Sequence, residues 1–281
     1  MLHTLRTGDA RPLSDWAAGL SLPSASVAFF NFLASHDGIG LNPVRGLLPQ
    51  ADLDALVAQT LAHGGRISYK HNPDGSQSPY ELNINYFDAL SDPAAAGQPD
   101  GEPLALQVDR FLAAQAILLA LAGLPGIYFH SLVGSRGWPE GVAQTGHNRT
   151  INRQKLQRAE LERDLGDPTS LRYQVFTRYR RLLAARAASP AFHPQGAQEV
   201  LNLGPGVFGL LRRAPATGAP AALLQSVVPR PQAVRLDLEA AFGSASAGGW
   251  VHDLVGGRRF NLRRTAPLKL RAYQTLWLSA G

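Results

Sequence analysis

An α/β fold followed by a small antiparallel β domain is predicted by three observations. Two stretches each read as a strand, a polar loop and a helix, which is the pattern of βα units. Beyond the turn-rich segment at 189–194 the apolar period changes to two. The chain has 281 residues, 45% of them apolar and 17% charged, which suffices for about two domain cores.

The elements follow in order. Residues 27–34, VAFFNFLA, form a continuous run of β-branched, aromatic and small residues. It reads as a strand buried on both faces, as in a parallel sheet. A polar loop follows at 35–40. Leu53, Leu56, Val57 and Leu61 recur at helical spacing over 52–63, and Gly64-Gly65 ends that helix. Residues 71–78 are turn chemistry, and 82–87 a short irregular segment. Residues 100–103 open a helix running to about residue 122. A second buried strand is expected at 127–132 and a long polar loop at 134–152. Leu171–Ala188 is an amphipathic helix with Tyr173, Phe176, Tyr179, Leu182 and Leu183 on one face. Short alternating segments follow at 198–203, 207–213, 221–228, 233–238, 250–254 and 273–278, separated by turns such as Gly204-Pro205-Gly206. The division is therefore 1–192 and 193–281.

Composition excludes several classes. There is no cysteine, hence no disulfide, cysteine nucleophile or thiolate metal site. The net charge of +6 is uneven: residues 1–140 carry 7 basic and 13 acidic side chains, residues 141–281 carry 20 and 8. The basic residues come as scattered pairs (Arg180-Arg181, Arg212-Arg213, Arg258-Arg259, Arg263-Arg264) without aromatic interleaving, so no nucleic-acid surface is expected. The first residues lack an apolar core and a cleavage site, and the most apolar window, 111–129, is broken by Gln115 and by Gly123-Leu124-Pro125-Gly126. A cytoplasmic protein without a membrane span is expected.

His36-Asp37-Gly38 has the placement of a functional loop after a strand. Taken alone, Asp37 also suits a turn or a helix N-cap, and His36 a satisfied polar group. Four segments in order sharpen this: FLASHDGIG at 32–40, YKHNPDGSQSPYELNINYFDAL at 69–90, GLPGIYFHSLVGS at 123–135 and TGHNRTINRQKL at 145–156. Together they resemble the sucrose-phosphorylase-like branch of the alpha-amylase superfamily, glycoside hydrolase family thirteen, over nearly the whole chain. The likeness is strongest to the members acting on sucrose 6-phosphate and glucosylglycerate. The resemblance implies the C-terminal part of a TIM (β/α)8 barrel, about strands seven and eight, followed by the β domain.

The resemblance further implies a retaining double displacement on an α-glucoside, with inorganic phosphate as co-substrate and no metal or other cofactor. Retention uses two carboxyl groups about 5–5.5 Å apart. A third carboxylate holds sugar hydroxyls in the transition state; it matches Asp37, with His36 as neighbouring hydroxyl ligand. A fixed carboxylate there stabilises an oxocarbenium-like ring. Arg153 matches an arginine near the glucosyl hydroxyls, and Arg149 precedes it in the same loop; each also suits a surface ion pair. Tyr86 falls in the acceptor loop, a region that Lys70, Tyr80, Asn83 and Asn85 share. His130 and Tyr128 suit the core or a supporting position.

The family's nucleophile and acid/base lie after barrel strands four and five, ahead of the matched motifs. Asp9, Asp15, Glu81, Asp88 and Glu140 do not stand in for them. Three readings are therefore open. The chain is the C-terminal part of a glucosyl-transferring phosphorylase or of a related retaining hydrolase, from a split or frameshifted gene and inactive alone. It is a non-catalytic sugar-binding protein. Or it completes a barrel with a separately encoded N-terminal half. Two parallel strands without further neighbours predict open edges and apolar faces, so residues 1–190 are expected not to be stable alone.

Overall fold

The chain is described by a computed structural model covering residues 1–24, 26–95, 97–243, 249–261 and 267–280. Two short helices come first, α1 (Leu2–Thr7) and α2 (Arg11–Ala18). Pro12 sits in the first turn of α2, where its missing N–H removes no helical bond. Strands β1 (Phe30–Asn31) and β2 (Ile39–Gly40) follow, then α3 (Gln50–Ala62) and a hairpin of β3 (Arg66–His71) and β4 (Gln77–Asn83). The chain continues through α4 (Tyr86–Leu90), α5 (Leu104–Ala120), β5 (Leu124–Pro125), α6 (Phe129–Leu132), α7 (Pro139–Thr145), α8 (Arg158–Gly166) and α9 (Leu171–Ala188). The last part holds β6 (Ala197–Leu201), β7 (Val207–Arg213), β8 (Pro220–Ser226), β9 (Gln232–Val234), α10 (Leu238–Phe242), β10 (Trp250–Asp253), β11 (Arg259–Asn261), β12 (Leu268–Leu270) and β13 (Thr275–Ala280).

The six-stranded antiparallel sheet, in the order β11-β10-β13-β8-β7-β6, gives the molecule its middle layer. Both its faces are covered. Phe208, Leu210, Leu223 and Trp277 join the core that α5 and α9 build. Their neighbours Val207, Leu211, Leu224 and Leu278 point the other way, into a second core under α10 and the β9–β12 pair. Strict alternation along each strand makes this possible. Helix α5 is apolar nearly all round, as a helix must be when it is packed between α9 and the sheet.

Arg212 on β7 ties the two parts together. It is fully buried and donates to four carbonyl oxygens: Ala120 at 2.6 Å, His193 at 2.7 Å, Gly196 at 3.1 Å and Ala197 at 3.2 Å. Burial, reinforced by nearby Arg186, lowers its pKa to about 10.

Several expectations are corrected. Residues 27–34 are not a strand buried on both faces: only Phe30 and Asn31 are in strand, and Phe30 and Phe32 are 68% and 56% exposed. The physical reason is the missing neighbour. Among the described residues β1 pairs only with β5, in parallel, so one edge and one face stay open. The second strand lies at Leu124–Pro125 rather than 127–132, because Leu124 and Gly126 donate their N–H groups to the carbonyls of Phe29 and Asn31, and residues 129–132 wind into α6. Periodicity cannot separate a short buried strand from a buried helical turn.

The segment read as turn and irregular chain is the β3–β4 hairpin, closed by Asn72 N–H on the Ser76 carbonyl at 2.9 Å, followed by α4 with Asn85 as its cap. The long loop contains α7 and a 3-10 turn at Asn148–Asn152. On α9 the buried face is Val175, Tyr179, Leu182 and Ala185, with Tyr173, Phe176 and Leu183 only half-buried. The segment 233–238 is strand only to Val234, and α10 follows it. The pair Arg263-Arg264 lies outside the described residues. Among the described residues no helix is long and apolar enough to cross a membrane.

Candidate functional site

The site begins where β1 hands over to a tight turn. Ser35 N–H bonds the Gly38 carbonyl at 3.1 Å, and Asp37 N–H bonds Ser35 Oγ at 3.1 Å. Gly38 has φ +140°, and a Cβ there would lie 2.2 Å from the Leu82 carbonyl oxygen. Only glycine permits that approach, which lets β2 lie against β4.

The backbone of Asp37 is held from two sides. Its carbonyl accepts Asn83 Nδ2 at 3.1 Å and Asn152 Nδ2 at 3.3 Å. Asn83 is itself fixed by Ser68 Oγ at 2.7 Å and Glu81 Oε1 at 2.6 Å. With the main chain anchored inward, the carboxylate projects outward and is 28% exposed. Arg153 Nη2 lies 2.6 Å from its Oδ1, His36 Nε2 lies 3.3 Å from the same oxygen, and Arg149 Nη1 lies 3.6 Å from Oδ2.

Arg149 faces two carboxylates. Its Nε and Nη2 fork onto Glu81 at 2.9 and 3.0 Å, and Nη2 also reaches Tyr80 Oη at 3.5 Å. The hydrogen bonds it donates to Glu81 hold the guanidinium pKa above its ordinary value. Arg153 donates its Nε to the His36 carbonyl at 3.2 Å.

Both arginines ride on the 3-10 turn at Asn148–Asn152 and the residue after it, and a buried carboxylate sets that turn. Asp88, on α4, accepts Arg136 Nη1 at 2.7 Å and Gly137 N–H at 2.6 Å. Trp138 N–H then bonds the Ile151 carbonyl at 2.8 Å, and Tyr128 Oη bonds the Asn152 carbonyl at 2.5 Å. Burial raises the Asp88 pKa against the opposing pull of Gly137 and Arg136.

The structure thus brings His36, Asp37, Arg149 and Arg153 together, with Tyr80 and Asn83 beside them. It does not bring Tyr86 there. That ring is 2% exposed and packs edge-on against Phe111, with centroids 6.3 Å apart, on the wall of an apolar groove. Lys70 is at an exposed hairpin position, Asn85 caps α4, and His130 is buried with Nδ1 2.9 Å from Ser135 Oγ. Sequence reasoning missed Glu81 as the partner of Arg149 and Asn152 as a support of Asp37. The signal for Glu81 was its alternation with Asn83, visible only once residues 77–83 are read as a strand. Among the described residues no group of three or more His, Asp or Glu side chains is placed to hold a metal ion. The cluster offers hydroxyl acceptors and guanidinium donors side by side, which suits a polyhydroxylated or anionic ligand.

No family model matches the chain. Among curated proteins it is 49% identical over 201 residues to a glucosylglycerate phosphorylase of Allomeiothermus silvanus, covering 72% of this chain and 35% of that protein. It is 50% identical over 207 residues to a glucosylglycerate phosphorylase of Spirochaeta thermophila, covering 74% and 34%. A sucrose 6(F)-phosphate phosphorylase of Ilumatobacter coccineus is 30% identical over 175 residues, covering 59% and 30%. The chain spans about a third of the length of the curated relatives it matches. Among solved structures, sucrose 6F-phosphate phosphorylase from Thermoanaerobacter thermosaccharolyticum superposes with a TM-score of 0.62 at 21% identity, over 80% of this chain and 41% of that one. That likeness fixes the fold: the C-terminal part of a TIM (β/α)8 barrel with its β domain.

Proposed function

We propose that this chain, a homologue of the C-terminal part of the sucrose-phosphorylase-like enzymes of the alpha-amylase superfamily, forms the glucosyl-holding wall of an α-glucoside phosphorylase. The observation that carries the reading is the Asp37 carboxylate, anchored through its own carbonyl and flanked by Arg153, Arg149 and His36. Such a carboxylate accepts hydrogen bonds from vicinal sugar hydroxyls and offsets positive charge spreading over the ring as the glycosidic bond lengthens. The arginines orient hydroxyls and receive an anion, whether phosphate or an acidic acceptor.

Glucosylglycerate is the substrate we favour. The relatives named for it are 44–50% identical to this chain, against 25–30% for those named for sucrose 6(F)-phosphate. The nucleophile and the acid/base belong, in this reading, to the remaining strands of the barrel. The exposed Phe30 and Phe32 beside the open edge of β1 support such a neighbour. The same openness leaves the Asp37 cluster in contact with water, where charge interactions are weak; a closing wall raises their strength.

The test pairs this chain with a polypeptide carrying the remaining barrel strands. Phosphate-dependent release of glucose 1-phosphate from glucosylglycerate is the expected activity, with none from the chain alone. Asp37→Asn should lower kcat/KM by roughly a thousandfold, about 4 kcal/mol of transition-state stabilisation. Near-normal turnover in that variant, or no phosphorolysis of any α-glucoside, overturns the reading.

A further inference from the structure

A second cleft, of about 210 Å³, opens between α5, α9, the turn after β10 and the loop before β13. Arg178, Arg181, Arg258 and Arg271 line it, and no residue of the Asp37 cluster does. We propose that this cleft binds a small phosphate-bearing anion.

The charge balance is the first support. Two carboxylates share the cleft with four guanidinium groups. Asp109 is already paired with Arg178. Asp253 spends both oxygens on backbone N–H groups: Oδ1 takes Val255 at 3.1 Å and Trp277 at 3.2 Å, and Oδ2 takes Gly256 at 3.0 Å. Four guanidinium groups against two carboxylates leave the cleft a net charge of +2. Among the described residues Arg181, Arg258 and Arg271 have no carboxylate partner. A surplus of two positive charges around one concavity favours a dianion over a single carboxylate, and the guanidinium fork fits phosphate oxygens two at a time.

Rigidity is the second. Tyr273, on the cleft wall, is the only non-glycine residue with positive φ, +50°, among the described residues. Its conformation is held by its N–H on the Val228 carbonyl at 3.2 Å and by Gln225 Nε2 on its own carbonyl at 2.9 Å. Strained backbone kept in place by its surroundings concentrates at binding sites. Size is the third. The volume lies below the roughly 300–1,000 Å³ of ordinary small-molecule sites, so the occupant is a phosphate ion or a phosphomonoester of a few carbons.

The experiment uses the full chain, with calorimetry and thermal unfolding in inorganic phosphate, glycerol 3-phosphate and acetate at matched ionic strength. Phosphate is expected to bind and to raise Tm with concentration. With the arginines of the Asp37 cluster removed in an R149Q/R153Q background, phosphate binding should persist, and adding the exposed pair R181Q/R271Q should weaken it at least tenfold. Tighter binding of glycerol 3-phosphate than of phosphate identifies an ester as the occupant; equal binding identifies the free ion. Equal effects of acetate and phosphate overturn the proposal, as does phosphate binding that R149Q/R153Q abolishes and R181Q/R271Q spares. If R181Q/R271Q does not fold, Arg271→Gln alone is read against the same criterion. Because the R149Q/R153Q arm reports on the Asp37 cluster separately, failure of the proposed function does not decide this test.

Discussion

Arg153 grips two successive residues of the turn: its Nη2 lies 2.6 Å from Oδ1 of Asp37, and its Nε 3.2 Å from the carbonyl of His36. The shape of the turn does not depend on this contact, because Asn83 and Asn152 hold the Asp37 carbonyl independently.

Asp37→Asn should therefore leave stability nearly unchanged. The ion pair is solvent-exposed, and such pairs contribute about 0–1 kcal/mol. A urea-midpoint shift worth more than about 1 kcal/mol would place Asp37 in the scaffold instead of the site.

Gly38→Ala should act oppositely. The added Cβ meets a backbone oxygen at 2.2 Å, at φ +140°. Expected is a loss of about 2 kcal/mol or more, with hydrogen exchange quickened at residues 35–41 and 82–83 ahead of the rest.

Arg212→Lys keeps the charge but not the fork. Lysine cannot reach the four carbonyls that Arg212 serves, and each unsatisfied group costs about 1–3 kcal/mol. Denaturant unfolding should show a loss of about 2–4 kcal/mol.

His130 supplies a pH dependence. Burial, with Arg172 adding to it, lowers its folded pKa below the ordinary 6.5. The neutral form is the one the fold accepts. Its contribution is complete above about pH 6.5 and is lost as pH falls through the lowered value. His130→Asn should flatten the decline in Tm between pH 7 and 5; an unchanged decline would assign it to other groups, such as His3, whose pKa burial also lowers.

Phe30→Ser with Phe32→Ser should reduce self-association. These rings stand 5.8 Å apart beside an open parallel edge. Light scattering of the doubly substituted chain should fall towards the monomer value, with Tm changed little because both side chains are already more than half exposed.

Long apolar periodicity made α3, α5 and α9 legible, and alternation did the same for β7 and β8. Elements set by distant partners were not. The β3–β4 hairpin hides behind a polar turn; β3 buries only Ile67, and β4 buries only its last three residues, two of them polar. Strand β5 is selected by carbonyls of Phe29 and Asn31, far away in sequence. The same holds at the site. His36, Asp37 and Arg153 stand out within short motifs, whereas the bond between Arg149 and Glu81 joins residues 68 positions apart. An aromatic ring such as Tyr86 looks alike in sequence whether it meets a ligand or fills a core, and here it fills a core.

Strand β13 comes last of the six in sequence, yet it lies between β10 and β8. As the polypeptide emerges from the ribosome, β6, β7 and β8 can zip as a meander and β10 and β11 as a hairpin, each leaving a sticky rim. Among the described residues no strand pairing joins the two ribbons until residues 275–280 slot in and Trp277 is sealed from water. Final closure is thus a late, long-range event, the kind of pairing that folds slowly and leaves strand edges open until it is made.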